Sequence, residues 1–337
     1  MSIPAGAVIE ARSLRKRFGE VVAVDDVGFS VGRGEVLGLL GPNGAGKTTV
    51  VRMLTTLTSI DSGSASIAGH DVTADAESVR RVIGLAGQAA AVDEKLSARE
   101  NLELFARLYK IRKAVRRRRI EELIGRFDMG EFALRPASTY SGGQRRRLDI
   151  VAALVAEPLA LFLDEPTTGL DPRSRAEVWD SVRALAAEGT AIVLTTQYLD
   201  EADHLADEIL VIDRGRAVAS GTPTQLKQDV ARDVLEIHVA TDADLASARA
   251  VLGVADGSAM SAAAVNVVMP DRPAVDARDR RVDVSITGGA GQSLEILRRL
   301  DDDGVTISDF QLRRPTLDDA FLALTGSPAS EPEGADR

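Results

Sequence analysis

The stretch EVLGLLGPNGAGKT, Glu35 to Thr48, decides the fold. A continuous apolar run of this kind is typical of a buried parallel strand, and it leads directly into a glycine-rich turn. The turn fits the pattern G-x-x-x-x-G-K-[ST], in which backbone N–H groups surround phosphate oxygens and the next helix adds the positive end of its dipole. We therefore predict a phosphate-binding loop made of Gly41, Pro42, Asn43, Gly44, Ala45, Gly46, Lys47, Thr48 and Thr49.

Two side chains of this loop have separate predicted roles. Lys47 reaches the β- and γ-phosphates, and the hydroxyl of Thr48 is a ligand of Mg²⁺. The alternative is an ordinary glycine turn with a chance lysine. A strand before the turn and a helix after it argue against that alternative.

A second motif, LALFLDEP from Leu159, supplies carboxylates at the end of another apolar run. Asp164 is predicted to hold Mg²⁺ through its water shell. Glu165, one residue further on, is predicted to polarise the attacking water as a general base. Two carboxylates that end a buried strand are costly unless they are paired or bound to metal, so a purely structural role is disfavoured. The two motifs together predict a nucleotide site with Mg²⁺, of the kind that kinases, GTPases, helicases and motor ATPases share.

The rest of the first two-thirds of the chain predicts an α/β fold. Apolar runs that indicate further strands of a mostly parallel sheet begin at Arg81, Leu159, Ala191 and Glu208. Short antiparallel strands are predicted before them at Val8 to Ala11, Val21 to Val24 and Val27 to Val31. Leu96 to Leu154 contains no convincing strand. We interpret it as a helical insertion that opens with the capping box Ser97-x-x-Glu100.

The pattern changes after about Val230. Strand and helix signals then follow in the order βαββαβ, which is the plan of ferredoxin-like domains, and a final helix is predicted from Thr316. The predicted organisation is an ATPase domain, its helical subdomain, an accessory α+β domain and a disordered tail, over residues 1–230, about 89–155, 231–326 and 327–337 respectively.

Composition excludes several classes of protein. The 337 residues are 45% hydrophobic and 27% charged, as expected for globular domains. No apolar run approaches the roughly 20 residues of a membrane span, and MSIPAGAVIEARS has no signal-peptide pattern. The chain has no cysteine, so disulfides and thiolate metal sites are excluded. A net charge of −10 argues against general nucleic-acid binding, so membrane association must come through a partner or a local patch.

The stretch YSGGQ, Tyr140 to Gln144, separates the possible nucleotide hydrolases. Ser141-x-x-Gln144 is itself a capping box and could simply begin a helix. However, Gly142 and Gly143 expose backbone N–H groups at the start of that helix, which creates a second anion site. One γ-phosphate does not need two such sites unless the second serves a neighbouring subunit's nucleotide.

The order of these motifs resembles that of the ATP-binding-cassette (ABC) ATPases. The matching elements are GPNGAGKT, Gln88, YSGGQ, LALFLDEP, the GLD that ends at Asp171, and the segment that ends at Gln197. The resemblance covers roughly Val8 to Gly221, and LRRPTLDDAFLALTG resembles the C-terminal region of the daunorubicin-resistance (DrrA-type) export ATPases. It implies a P-loop NTPase fold with a RecA-like sheet, N-terminal antiparallel strands and a helical subdomain.

The resemblance also implies partners and further site residues. The ATPase would form a head-to-tail homodimer in which Ser141, Gly142, Gly143 and Gln144 complete the phosphate site of the other subunit. Phe18 would stack on adenine, although a hydrophobic strand-end side chain is the alternative. Gln88 would contact the metal-phosphate centre and sense an integral-membrane permease. Asp171 would lie at the dimer seam, which is compatible with a helix-capping role.

The segment AIVLTTQYLDEAD contains one departure from the family and one misleading motif. Gln197 stands where these ATPases usually have a histidine that contacts the γ-phosphate, and His204 is no substitute. Glutamine still donates and accepts hydrogen bonds, so Gln197 could orient water or Glu165. The letters DEAD, Asp200 to Asp203, match a helicase signature, but Asp164 and Glu165 already hold the place of that carboxylate pair. We interpret the acidic residues as charges favoured at a helix start.

The basic run KIRKAVRRRR, Lys110 to Arg119, has three interpretations. A solvated helix face balanced by Glu121 and Glu122 is favoured. Proximity to anionic lipid headgroups ranks second. Nucleic-acid binding is disfavoured because no aromatic residues interleave from Ile111 to Glu121. No special role follows for the second basic run, Arg145 to Arg147.

The leading functional hypothesis is an ATPase subunit of an exporter of drugs or lipids. It would lie at the cytoplasmic face of the membrane, held there by a separate permease. The alternative is a non-transport ABC ATPase of DNA repair, chromosome organisation or translation. The single set of motifs, the absence of cysteine and the short spacing from Lys47 to Ser141 weigh against that alternative.

Overall fold

The computed structural model describes residues 6–87, 91–230, 233–252, 280–286, 289–313, 316, 317 and 321. The chain divides into two compact units, one up to Leu226 and one over Lys227–Ala323. Within the described residues, no helix has both the length and the apolar character that a membrane span requires.

The described part of the first unit contains ten strands and most of the helices. In chain order its strands are β1 (Ile9–Phe18), β2 (Val21–Val31), β3 (Val36–Leu40), β4 (Ser62–Ile67), β5 (His70–Asp71), β6 (Ile83–Ala86), β7 (Ala160–Asp164), β8 (Ala191–Thr196), β9 (Glu208–Asp213) and β10 (Arg216–Gly221). Its helices are α1 (Lys47–Leu54), α2 (Ala76–Val82), α3 (Ala98–Leu108), α4 (Lys113–Arg126), α5 (Gly142–Ala153), α6 (Pro172–Ala187) and α7 (Leu199–Leu205), with a 3-10 turn at Ala137–Thr139. Helix α8 (Pro223–Val230) contains the boundary between the two units.

The central sheet has six strands in the order β10-β9-β3-β8-β7-β6, and all but the edge strand β10 are parallel. Every residue of β3, β7 and β8 is buried, which explains why their sequences are continuous apolar runs. The register aligns Leu40 with Thr196 and Asp164 with Thr195. The carboxyl ends of these strands therefore meet at one edge of the sheet, where open α/β sheets bind ligands.

A second sheet of the first unit has the order β2-β1-β4-β5 and is antiparallel. The prediction of separate strands at Val21 to Val24 and Val27 to Val31 was wrong, because both belong to the single strand β2. Asp26 between them adopts a positive φ of 58°, and the pairing with β1 shifts register along this stretch. Two consecutive aspartates resemble a turn in the sequence, whereas here they lie in an irregular part of a continuous strand.

The predicted helical insertion is formed by α3, α4 and α5. Ser97 and Ser141 cap α3 and α5, and both predicted capping boxes are confirmed, with Glu100 and Gln144 as their reciprocal partners. The buried faces of these helices share one hydrophobic cluster with β7, through residues such as Leu102, Leu123, Leu148 and Leu163. This packing fixes the start of α5 relative to the end of β7.

The second unit contains β11 (Asp233–Val239), α9 (Asp242–Val251), β12 (Arg281–Ile286), α10 (Gly289–Asp302) and β13 (Ile307–Arg313). Its described strands form an antiparallel sheet in the order β12-β11-β13, with Leu235, Ile237 and Val284 in its core. The strand predicted at residues 264–269 lies outside the described residues. So do residues 327–337 and nearly all of the helix predicted from Thr316.

Candidate nucleotide-binding and hydrolysis site

The loop between β3 and α1 has the backbone that a phosphate cradle requires. Gly44 and Gly46 adopt positive φ values of 81° and 109°, which glycine tolerates without strain. A Cβ added to Gly41 would overlap the carbonyl oxygen of Ile212, and one on Gly46 would lie 2.5 Å from the carbonyl oxygen of Ala23. Neighbouring backbone therefore closes around the loop, and only glycine fits at these two positions.

Lys47 is held inside this loop. Its side chain is buried, and Nζ donates hydrogen bonds to the carbonyl oxygens of Gly41 at 2.7 Å and Pro42 at 3.0 Å. Burial lowers the pKa of Lys47, while the carboxylates of Glu165 and Asp164 act in the opposite direction. A buried ammonium held only by carbonyl groups is suited to exchange them for phosphate oxygens, since these carry full charge.

Two of the three predicted metal ligands, Thr48 and Asp164, come together at the carboxyl end of β7. The Thr48 hydroxyl donates to Asp164 Oδ1 at 3.1 Å, and the Thr195 hydroxyl donates to the same oxygen at 2.5 Å. This hard oxygen set suits Mg²⁺, which proteins bind through one or two carboxylates and substrate phosphates. The described residues contain no cluster of three or more His, Asp or Glu side chains that could hold a metal without a nucleotide.

Glu165 leaves the strand in a strained conformation. Its φ is 50°, in the left-handed region that side chains other than glycine rarely adopt. Its N–H donates to the carbonyl oxygen of Thr195 at 3.1 Å and to Oγ1 of that residue at 3.0 Å. Its Oε2 accepts from the Thr168 hydroxyl at 3.3 Å. These contacts hold a half-buried carboxylate one residue beyond Asp164.

Gln197 follows β8 and carries an unsatisfied polar atom. Among the described residues, its buried Oε1 has no hydrogen-bond partner. A buried acceptor without a donor costs about 1–3 kcal/mol, so native proteins usually pair it with a protein group or an ordered water. Gln197 lies two residues after Thr195, which contacts both Asp164 and Glu165, and an open acceptor there is suited to hold a water molecule.

The start of α5 packs against the start of α6. The Ser141 hydroxyl accepts from the N–H of Gln144 at 3.2 Å, and a Cβ added to Gly143 would overlap the Ser174 hydroxyl. Asp171 caps α6 by accepting from the N–H of Ser174 at 3.0 Å and from its hydroxyl at 2.7 Å. These bonds lower the pKa of Asp171, and they confirm the capping role that the sequence left open.

Two predicted nucleotide contacts remain, those of Phe18 and Gln88. Phe18, at the end of β1, is 52% exposed, and the Lys16 ammonium lies 5.5 Å from the centre of its ring. An exposed ring at this position is free to stack on a base. Gln88 lies outside the described residues.

Arg146 and Asp149 form a buried pair that the sequence did not single out. Arg146 donates to Asp149 at 3.1 Å, and its guanidinium also donates to the carbonyl oxygens of Gly87 at 2.7 Å, Asp164 at 3.2 Å and Pro166 at 2.9 Å. Asp149 also accepts from an N–H in the segment before α3, that of Ala91, at 3.0 Å. The pair therefore links α5 to the backbone on both sides of Glu165. The only signal in the sequence is an opposite charge three residues along the helix, a spacing that is common on exposed faces.

Glu201 corrects the interpretation of the DEAD letters. Asp200 is an exposed charge near the start of α7, paired with Arg175 at 3.2 Å. Glu201, by contrast, is only 1% exposed, and its Oε1 accepts from Thr167 at 2.8 Å and from the Trp179 indole at 3.2 Å. It is a core residue rather than a solvated helix-start charge. The first turn of α7 directs one member of this acidic run into the core. Which member is buried depends on the packing of α7 against other helices, and the sequence pattern does not show that packing.

We expect the Glu201→Gln variant to gain thermal stability, relative to the unmodified chain, as pH rises from 5 to 8. Burial raises the pKa of Glu201 above its ordinary value of 4.5. The folded state therefore retains the proton more strongly than the unfolded chain, and ionisation reduces the free energy of unfolding as pH rises through the raised pKa. Glutamine keeps the Oε1 acceptor and cannot ionise. Each kcal/mol would move the melting temperature by about 2–4 °C in a unit of this size.

Thermal unfolding at pH 5 and pH 8 measures this difference. Asp180→Asn is the control, since it removes the same charge from an exposed position of α6 and should shift equally at both pH values. A Glu201→Gln difference that does not change with pH would contradict the expectation.

The fold and the site together define a P-loop nucleoside triphosphatase of the ATP-binding-cassette type. Residues 24–168 match the family model described as "ABC transporter". The chain is 49% identical to the daunorubicin resistance ATP-binding protein DrrA2 of Streptomyces coeruleorubidus over 95% of this chain and 96% of that protein. It is 45% identical to the daunorubicin/doxorubicin resistance ATP-binding protein DrrA of Streptomyces peucetius over 96% of this chain and 94% of that protein.

Solved structures give the same class. A structure described as the ATP binding subunit of an ABC transporter superposes with a TM-score of 0.60 at 29% identity, covering 66% of this chain and 92% of that one. The chain therefore belongs to the ABC transporter ATP-binding proteins, and within them to the DrrA-type resistance ATPases. Its enzymatic class is ABC transporter ATPase.

Proposed function

We propose that this chain is the ATP-hydrolysing subunit of an exporter that drives a hydrophobic drug or lipid through a separate membrane permease. The observation that carries the ATPase part is the contact between Thr48 and Asp164, with Glu165 next to it. It brings the phosphate-binding loop, the metal-side carboxylate and the general base to one edge of the sheet. The names of the relatives favour a daunorubicin- or doxorubicin-like drug as the cargo.

The donor set fits Mg²⁺ and ATP. The glycine cradle and Lys47 would bind the β- and γ-phosphates. Thr48 and Asp164 would hold Mg²⁺, and Gln88 is proposed as a third ligand of the metal. Thr49, at the start of α1, would add its N–H to the phosphate site. Bound Mg²⁺ supplies positive charge that neutralises the phosphate oxygens.

Glu165 is the proposed general base. It accepts a proton from a water molecule whose oxygen forms the new bond to the γ-phosphorus. The bond from that phosphorus to the bridging oxygen breaks, and ADP leaves with the electron pair. Gln197 orients the water through its open Oε1, and the Lys47 ammonium stabilises the charge on the transferred phosphoryl group.

A head-to-tail dimer would complete each site. Ser141 and Gly142 are exposed in the single chain, at a helix start whose N–H groups can receive an anion. Gly143 and Gln144 would also contact the γ-phosphate of the nucleotide that is bound to the second subunit. Asp171 would lie at the seam while it keeps its capping bonds. Adenine would stack on Phe18.

We expect specific ATPase activity to rise with protein concentration, because each site needs the Ser141 segment of another subunit. Hydrolysis of Mg-ATP by the purified chain over a range of concentrations measures this. Constant specific activity, in a sample that light scattering finds monomeric, would contradict the two-subunit site.

Membrane location would come from the permease at the cytoplasmic face.

We also propose that the described β12-β11-β13 sheet is part of a ferredoxin-like accessory domain over residues 231–326, which follows the ATPase domain 1–230 with its helical subdomain 89–155. The antiparallel order with β11 in the centre supports this plan.

Gln197→Ala is expected to impair hydrolysis far more than ATP binding. The substitution removes the group that would hold the attacking water and leaves the Lys47 cradle intact. Turnover should fall about 100-fold, the lower end of the range for loss of one positioned polar group. Nucleotide affinity, measured by calorimetry, should change little. Turnover equal to that of the unmodified chain would refute the role of Gln197.

The export function is tested in native cells with Lys47→Ala in place of the unmodified chain. Loss of the phosphate-binding ammonium should raise daunorubicin accumulation to the level seen when the chain is deleted. The Arg214→Ala variant changes an exposed cation and should retain efflux. Drug export would be refuted if daunorubicin accumulation changed neither in the Lys47→Ala cells nor in the deletion. ATPase activity of the purified chain would still test the hydrolysis site separately.

A further inference from the structure

The turn between α3 and α4 presents an exposed group of cations. We call residues 108–118 the α3–α4 corner. The exposed basic residues of the corner are Lys110, Arg112, Lys113, Arg117 and Arg118. Within the described residues, none of these five takes part in a salt bridge.

Their neighbours on the same helix behave differently. Arg116 pairs with Glu103 at 3.0 Å, and Arg119 pairs with Glu122 at 3.0 Å; both arginine side chains are mostly buried. Glu121, which was predicted to balance the basic run, instead forms a salt bridge with Arg99 of α3. The nearby carboxylates therefore pair with Arg99, Arg116 and Arg119. In the described part of the chain the corner cations form no salt bridge, and Arg117 interacts with Glu121 only at longer range.

Helix stability does not explain these cations. The first turn of α4 contains no acidic residue, and Arg112 at the N-cap makes no side-chain capping bond. Positive charge near a helix N-terminus opposes the macrodipole and is unfavourable. Arg112 and Lys113 are thus electrostatically unfavourable for the isolated chain, and an external anionic surface would relieve them.

Apolar side chains are exposed at the same corner. Leu108 is 67% exposed, and Tyr109 and Val115 are each 38% exposed. Cations beside exposed aliphatic groups match the interface of a bilayer, where headgroup phosphates lie above acyl chains. A nucleic-acid surface would instead use aromatic rings interleaved between the cations, and Tyr109 is the single aromatic residue of the corner.

We propose that the α3–α4 corner docks on anionic phospholipid at the membrane surface. The chain carries a net charge of −10, so an anionic membrane repels it as a whole, and attraction has to come from a local basic patch. This contact is independent of the permease and of drug export. It would orient the ATPase before or beside its membrane partner.

Sedimentation of the full chain with vesicles tests the proposal. We expect binding to vesicles that contain phosphatidylglycerol, weaker binding at high salt, and little binding to phosphatidylcholine alone. Arg112→Glu/Lys113→Glu should lower the partition coefficient about tenfold or more. Each basic residue near an anionic surface adds to the attraction, and this variant reverses two such charges. Acidic residues at the start of α4 favour the helix dipole, so this variant should fold. Leu108→Ser should lower binding severalfold at both salt concentrations.

Matched variants separate this corner from general charge effects. Arg80→Glu/Arg214→Glu makes the same change in net charge at exposed positions elsewhere, and Leu57→Ser truncates a leucine that is 59% exposed. Both should bind vesicles like the unmodified chain. Equal loss in the control variants, or equal binding to both vesicle types, would overturn the proposal. Tighter binding to a short DNA duplex than to anionic vesicles, lost in Arg112→Glu/Lys113→Glu, would overturn it in favour of nucleic acid.

Discussion

Replacing Glu165 with Gln is expected to reduce ATP turnover by about 10²–10⁴-fold while ATP binding is retained, because a positioned general base contributes a factor of that size. Glutamine has nearly the same shape and can still accept from Thr168, but it cannot take a proton from the attacking water. The N–H bonds from residue 165 to Thr195 belong to the backbone and should survive the substitution. The strained φ of this residue should therefore be kept.

Turnover, nucleotide affinity and oligomeric state should be measured on the same preparation. If ATP closes a head-to-tail dimer, the Glu165→Gln variant should accumulate as an ATP-bound dimer, since the nucleotide persists. Lys47→Ala is the control for loss of binding, and it should form no such dimer. Turnover within a few-fold of the unmodified chain would rule out Glu165 as the base.

Removing one partner of the Arg146–Asp149 pair is expected to have the largest effect on stability. The side chains are only 12% and 3% exposed. Breaking a buried pair leaves an uncompensated charge and typically costs about 3–5 kcal/mol. Arg146→Met and Asp149→Asn should each lower the free energy of unfolding, with Arg146→Met the more severe because three carbonyl groups also lose a donor.

Denaturant unfolding of both single variants and of Arg146→Met/Asp149→Leu measures the coupling. The double variant should be less destabilised than the sum of the singles, because no buried charge is left without a partner. Arg145→Met is the matched control. Its side chain is 35% exposed and pairs with Glu94 at 3.3 Å, so its loss should cost no more than about 1 kcal/mol. An Arg146→Met variant as stable as Arg145→Met would contradict this account.

Arg146 should also have a kinetic signature as a positioning residue. It binds the carbonyl oxygens of Asp164 and Pro166, on either side of Glu165. Its loss should therefore lower kcat more than it raises KM for ATP. The conservative Arg146→Lys variant should restore part of kcat, whereas general unfolding would lower the active fraction without this split.

Features that depend on short-range interactions could be predicted from the sequence, and those that depend on distant segments could not. The capping boxes at Ser97 and Ser141 could be predicted because both partners lie within one turn of helix. The meeting of Thr48 with Asp164 could be predicted because parallel strands end at a common edge. The irregularity at Asp26 could not, since a bulge is defined by its pairing strand. Glu201 was misread because burial of one acidic residue in a run depends on the helix across from it.

The sequence by itself determined the parallel sheet, the phosphate cradle and the order of its chemical groups, because glycine spacing and buried apolar runs act over short distances. Only the tertiary structure decided which charges are buried and which remain exposed. Arg146 and Arg112 lie in similar basic runs, yet one is enclosed by three backbone carbonyls and the other faces solvent. The physical reason is that the free energy of a charge depends on the groups that surround it, and distant segments of the chain supply those groups.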